Sequence, residues 1–333
     1  MNATIARPSN DCGLTPAEGE MCEGYWLDLS FQAVVVGLTS SGAVVSALML
    51  VALLMSRAPA DCVSSRLLAV IFTSAVALCV ASLVNPAMQL GGTAPGSVEC
   101  VLTGSLYHSA VQTTAFSLAF LNVEQYMVVL HCSSRHRKWT RALFPIAPWV
   151  LSWALTIPHA VEYWGHFRPS SFTSLCTLCG PRSTRLVNGL VTVLLPVAVT
   201  AFVYVRLMTH VMSVRKNSPQ NSPDTSMPRF IQATCSKSSS QKLEKDLSSM
   251  VFVLSLVCTF YMGYLPYVII ESYLQLEVGC LGSRLAFLWW TGLGCWGPFF
   301  NLLRCSRYRS ACRSAWLRRS LSNPDAKGEE FGM

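Results

Sequence analysis

The residues able to do chemistry fall into two places. The triplet Glu124-Gln125-Tyr126 sets a carboxylate, an amide and a phenol at the end of an apolar stretch, ahead of the basic cluster Arg135, Arg137, Lys138 and Arg141. A carboxylate at a membrane edge is costly unless paired or hydrated, so Arg135, Arg137 and Lys138 are its candidate partners, beside plain hydration. A second carboxylate, Glu271, stands one helical turn beyond Tyr267. It suits cation binding, pairing with Arg284 or simple solvation, the last two being the plainer readings. No stretch gathers metal ligands, a nucleophile with its base, or paired carboxylates, so neither enzymatic chemistry nor a resident metal or cofactor is expected.

The elements that hold these groups are apolar. Of 333 residues, 52% are hydrophobic and 13% charged, with a mean hydropathy of +0.41, which is too apolar for an ordinary soluble domain. Runs long enough to cross about 30 Å of hydrocarbon as helix occur at Phe31–Met55, Leu67–Leu90, Val101–Leu130, Leu143–Glu162, Leu186–Met212, Leu247–Glu271 and Leu285–Leu303. The fold class expected is an all-α membrane protein, a seven-transmembrane helix bundle. Basic residues are retained on the cytosolic side, and 20 of the 25 flank the spans consistently with the N-terminus outside and the C-terminus inside. The net charge of +8 is thereby a topology signal and an attraction to anionic lipid, not a sign of nucleic acid. The polar first 28 residues lack the pattern of a cleaved signal peptide, which leaves the first span as its own insertion signal.

This topology puts Cys12, Cys22, Cys100, Cys176, Cys179 and Cys280 outside, an even number where disulfides form. Residues 1–28 make an extracellular tail carrying the glycosylation sequon at Asn2. The seven-span core is 29–304, the serine- and proline-rich loop 217–242 within it is a flexible cytosolic linker, and 319–333 is a cytosolic tail. Pro86, Pro158, Pro196, Pro266 and Pro298 lie in or near spans and favour bends there.

In order and spacing the motifs resemble those of the rhodopsin-like (class A) G-protein-coupled receptors over roughly residues 25 to 318. Cys100 is similar to the cysteine atop the third helix, and Glu124-Gln125-Tyr126 resembles the Asp/Glu-Arg-Tyr motif with its arginine replaced. Trp149, Pro196, Tyr204, Phe260 and Pro266 match family positions, Tyr264 stands for the usual sixth-helix tryptophan, and Gly297-Pro298-Phe299-Phe300-Asn301 resembles Asn-Pro-x-x-Tyr with both polar ends replaced. Residues 305–318 then read as a short amphipathic helix on the inner leaflet, with Cys305 and Cys312 as palmitoylation candidates.

The resemblance implies a disulfide from Cys100 to Cys179 or Cys176, and an outer pocket with Tyr107, His108, Gln112, Tyr267, Glu271, Phe287, Trp290 and Thr291 as ligand candidates. The activation residues it implies are Glu124, Gln125, Tyr126, Tyr204, Phe260, Tyr264, Pro266, Pro298 and Asn301. Where the second helix of the family keeps an aspartate, this chain has Thr73, Ser74, Ala75 and Ala77, which removes the basis of the sodium site of the family. All six lysines are cytosolic, so no retinal Schiff base forms, and Tyr107 stands where amine receptors keep a carboxylate. Gln125 cannot make the charge-assisted pair of an arginine, so signalling through G proteins is expected to be weak, ligand-independent or absent. The function implied is a plasma-membrane receptor relaying an extracellular ligand to a heterotrimeric G protein or arrestin. A non-signalling scaffold, scavenger or partner subunit of the same fold is the alternative, and a transporter or channel a weaker one, because the spans lack buried ionisable residues and inverted halves.

Overall fold

Continuous apolar composition drives the chain into long helices, because lipid offers the backbone no hydrogen bonds and each span must satisfy its own. A computed structural model describes residues 25–55, 63–90, 97–131, 137–170, 175–217, 250–271 and 275–304. Within them lie seven helices: α1 (Tyr25–Met55), α2 (Val63–Leu90), α3 (Val98–His131), α4 (Arg137–Ala160), α5, α6 (Met250–Ile269) and α7 (Gln275–Arg304). α5 runs as Arg182–Gly189, a π-helical turn Leu190–Leu194 and Leu195–Asn217. That wider turn directly precedes Pro196, whose ring and missing N–H cannot fit a regular i−4 ladder. The tail with Asn2, the linker 218–242, the segment with Cys305 and Cys312, and the side chains of Arg135, Arg137, Lys138 and Asn301 lie outside the described residues.

α1, α2, α3, α5 and α7 extend past the spans read from hydropathy, since a helix continues beyond the hydrocarbon wherever its polar ends are capped or hydrated. α7 begins ten residues earlier than the apolar run and breaks at Gly279, whose φ of 69° is open to glycine alone at little cost. Four described helices qualify as spans by length and apolarity alone, in α1, α2, α5 and α6. α3 does not, because it is the centre of the bundle: Ser105, Ser109, Gln112, Thr113, Ser117, Asn122 and Glu124 are all buried on it. The outer surface shows the reverse pattern, with Val44, Leu48, Leu102, Val150 and Phe202 exposed to the lipid.

Polar groups inside the bundle find partners across helices. Thr113 and Ser152 join α3 to α4 at 2.7 Å, and the Asn122 amide donates to Thr200 Oγ1 at 3.0 Å to join α3 to α5. Other hydroxyls bond back to their own helix, as Thr39 does to the Val35 carbonyl, while those of Ser46, Ser105 and Ser117 are buried with no partner among the described residues.

Candidate functional site

The outer end of the bundle is roofed by a hairpin. β1 (His166–Pro169) pairs antiparallel with β2 (Cys176–Cys179), Phe167 opposite Leu178 and Pro169 opposite Cys176. Because strand side chains alternate, Phe167, Leu178 and Cys176 share the face turned to α3 and Cys179 takes the other. Cys176 is therefore the partner of Cys100, with Cα atoms 5.4 Å apart, which resolves the choice between Cys176 and Cys179. Cys179 and Cys280 are each in a disulfide as well. The hairpin lies close on α3 at Gly104, where a Cβ would stand 2.5 Å from the Phe167 ring.

Below this roof the sequence-derived ligand candidates separate. Tyr107, Tyr267, Phe287 and Trp290 are buried together: the Tyr267 ring packs on Phe287 at 5.8 Å, and the Tyr107 oxygen accepts a hydrogen bond from Trp290 Nε1 at 2.8 Å. His108 turns up toward the roof, its ring 5.7 Å from Phe167. Gln112 is occupied elsewhere, donating to Asn188 Oδ1 at 2.9 Å and accepting from Thr156 at 3.3 Å, so it ties α3, α4 and α5 together. Thr291 is buried on α7. Glu271, in a π-helical turn at the outer end of α6, hydrogen-bonds the Ser170 hydroxyl of the roof, while its Oε2 is buried with no hydrogen-bond partner among the described residues. Arg284 instead sets its guanidinium over the Phe31 ring at 4.9 Å.

Trp290 is the hub beneath. Tyr264 lies 5.0 Å from it and Phe260 5.4 Å, edge-on. The indole that the sequence pattern leads one to seek on α6, where Tyr264 stands, is thus supplied by α7. Next to it a small apolar cavity of about 20 Å³ is lined by Ala75, Leu118, Phe260, Trp290, Gly294 and Pro298 among others, with no carboxylate among the described residues that line it. Gly297 closes α7 against α6, since a Cβ there would stand 2.6 Å from Thr259 Cγ2. Pro266, by contrast, faces outward.

At the cytosolic end Glu124 is 5% exposed and binds the start of α2: Ser64 donates its backbone N–H to Oε1 at 3.0 Å and its hydroxyl to Oε2 at 2.7 Å. The carboxylate therefore caps α2 from a neighbouring helix, satisfying a first-turn N–H and facing the positive end of the helix dipole. Plain hydration at the interface is overturned by this burial. Gln125 makes a long 3.5 Å contact to the same Ser64 hydroxyl. Tyr126 and Tyr204 pack around Val203, Leu207 and Met250, and the Tyr204 hydroxyl donates to the Met250 carbonyl at 2.6 Å, clasping α5 to α6.

The model of the 7 transmembrane receptor (rhodopsin family) matches residues 47–313. The chain belongs to this rhodopsin family. Melatonin receptor type 1B-A of Danio rerio is 23% identical to this receptor over 65% of its chain and 77% of the relative. Melatonin receptor type 1B of Rattus norvegicus is 24% identical over 43% of the chain and 40% of the relative. The crystal structure of squid rhodopsin superposes with a TM-score of 0.68 over 91% of this chain and 86% of that one at 14% identity, a likeness of fold. The receptor is accordingly a multi-pass membrane protein of a signalling family whose members are not enzymes.

Ser64, Ser170 and Phe167 are site residues that sequence reasoning passed over. Ser64 had a signal, a serine directly ahead of an apolar run where a helix begins. Ser170 and Phe167 had none, because their role depends on how a hairpin folds over α3.

Proposed function

We propose that this receptor sits in the plasma membrane with its N-terminus outside and relays an extracellular ligand, bound beneath the hairpin, to a cytosolic G protein or arrestin. The observation that carries the reading is the unbroken contact from Tyr107 through Trp290 to Tyr264 and Phe260, with Tyr267 packed beside it on Phe287. Ligand-induced displacement of Tyr107 disturbs Trp290, and through it the packing of α6 on α7. Packed aromatic clusters have discrete arrangements, so a small outer shift is converted into a change of helix position. The orientation is supported by the distribution of basic residues and by disulfides at the end opposite Glu124.

Gln125 mutes the output. Its amide makes neutral hydrogen bonds, about half as strong as the charge-assisted bonds of an arginine. The same substitution favours a second reading, a scaffold or scavenger that has left signalling. Recruitment of each major G-protein class and of arrestin is measured for wild type and Gln125→Arg at matched surface levels. The receptor reading predicts a basal signal created or raised by the arginine in at least one class. Silence of both proteins against every transducer moves the scaffold reading to the front.

A further inference from the structure

We infer that the outer pocket recognises a small organic cation, an amine carried on an aromatic or alkyl group, through Glu271 rather than through α3. The inference rests on the receptor reading for the location of the pocket and goes beyond it in naming the class of ligand. Among the described residues Glu271 has one hydrogen-bond partner, Ser170 of the roof, and its Oε2 is buried without a donor. A carboxylate kept from water with an unanswered oxygen is unfavourable unless a cation meets it. Arg284 is engaged over Phe31. Tyr267 stands four residues before Glu271, about one helical turn, so the two side chains lie on the same side of α6.

The surroundings fit the same ligand. Tyr267 packs on Phe287, Tyr107 holds Trp290, and aromatic faces attract an ammonium while accommodating the apolar group attached to it. Tyr107 has no charge to offer, so the ammonium is drawn to the α6 side of the pocket. Ser170, fixed in the roof by its N–H to the Leu175 carbonyl at 2.7 Å, holds Glu271 in place and links ligand binding to the hairpin.

The test uses the full-length receptor in lipid nanodiscs, with thermal unfolding as readout and three probes: 2-phenylethylamine, the neutral 2-phenylethanol and the anionic 3-phenylpropanoate. Probes run to about 10 mM, enough to fill a millimolar site. The amine is expected to raise the midpoint, with little effect of the other two, and Glu271→Gln is expected to need about 10- to 100-fold more amine, the loss of one charged hydrogen bond. Without probe, Glu271→Gln unfolds at or above the wild-type temperature, because a buried unanswered charge is removed. Ser170→Ala keeps the carboxylate and should still respond to the amine alone among the three. Equal shifts by amine and alcohol, an amine response that persists in Glu271→Gln, or no shift by any probe overturns the inference. Amine binding in a protein that recruits no transducer leaves the ligand class standing and sinks the signalling reading. Transducer recruitment without any amine response does the opposite.

Discussion

The cap that Glu124 places on α2 has a calculable effect. Ser64→Ala removes the 2.7 Å bond from a hydroxyl to a carboxylate oxygen but leaves the 3.0 Å backbone bond. A hydrogen bond to a charged group contributes about 1.5–3 kcal/mol, so that variant should lose about this much. Glu124→Gln keeps an acceptor for the Ser64 N–H, and its amide can donate to the hydroxyl, for a loss of about 1–2 kcal/mol from the charge alone. Glu124→Ala deletes both bonds and strands a helix-start N–H in a site where the side chain is 5% exposed. Its loss should reach about 3–5 kcal/mol, the cost of breaking a buried charged interaction from one side. At roughly 2–4 °C per kcal/mol for a protein of this order of size, the three variants should unfold in the order Glu124→Ala, Ser64→Ala, Glu124→Gln, wild type, several degrees apart. Thermal unfolding in nanodiscs followed by tryptophan fluorescence resolves such differences. If all three lie within about 0.5 kcal/mol of wild type, the range of an ordinary surface substitution, Glu124 is solvated and the capping argument is wrong.

Other consequences are as direct. The cavity beside Trp290 carries no carboxylate among the described residues that line it, so exchanging sodium for N-methylglucamine should leave the unfolding midpoint and basal signalling unchanged; a stabilisation specific to sodium contradicts this. Glu162 ends α4 with a φ of 60°, a conformation that costs a side-chain-bearing residue about 1–2 kcal/mol; Glu162→Gly should therefore stabilise the protein by about 0.5–1 kcal/mol after its greater unfolded-state freedom is counted. Gly297→Ala places a methyl 2.6 Å from Thr259 Cγ2 and should destabilise by about 1–3 kcal/mol, with a large part recovered in the double variant Gly297→Ala/Thr259→Ala in a thermal-unfolding cycle.

The architecture was legible because hydrocarbon imposes a length and a composition on every span. α3 was found by its apolar run, yet its central place shows only in the polar residues it buries, Gln112 and Asn122 among them. The disulfide is a case of what short spacing hides: Cys176 and Cys179 are three residues apart, and only the alternation of β2 decides between them. Trp290, a ligand candidate in the sequence, follows directly on Trp289. Adjacent helical residues point about 100° apart, so one is 53% exposed and the other, at 1%, is the hub. Glu271 was visible as a carboxylate near Tyr267, but its burial and its serine partner depend on a hairpin about a hundred residues earlier in the chain.

The central claim is that the outer aromatic cluster and the cytosolic end of α6 are coupled through Trp290, and amide hydrogen exchange by mass spectrometry on the full-length receptor in nanodiscs tests it most directly. Tyr107→Phe deletes the oxygen that Trp290 Nε1 bonds at 2.8 Å and changes little else in shape. Coupling predicts faster exchange not only around Trp290 but also at residues 250–257 of α6, where Tyr204 holds the Met250 carbonyl. Altered exchange confined to the outer halves of α3 and α7, with 250–257 exchanging as in wild type, would contradict it.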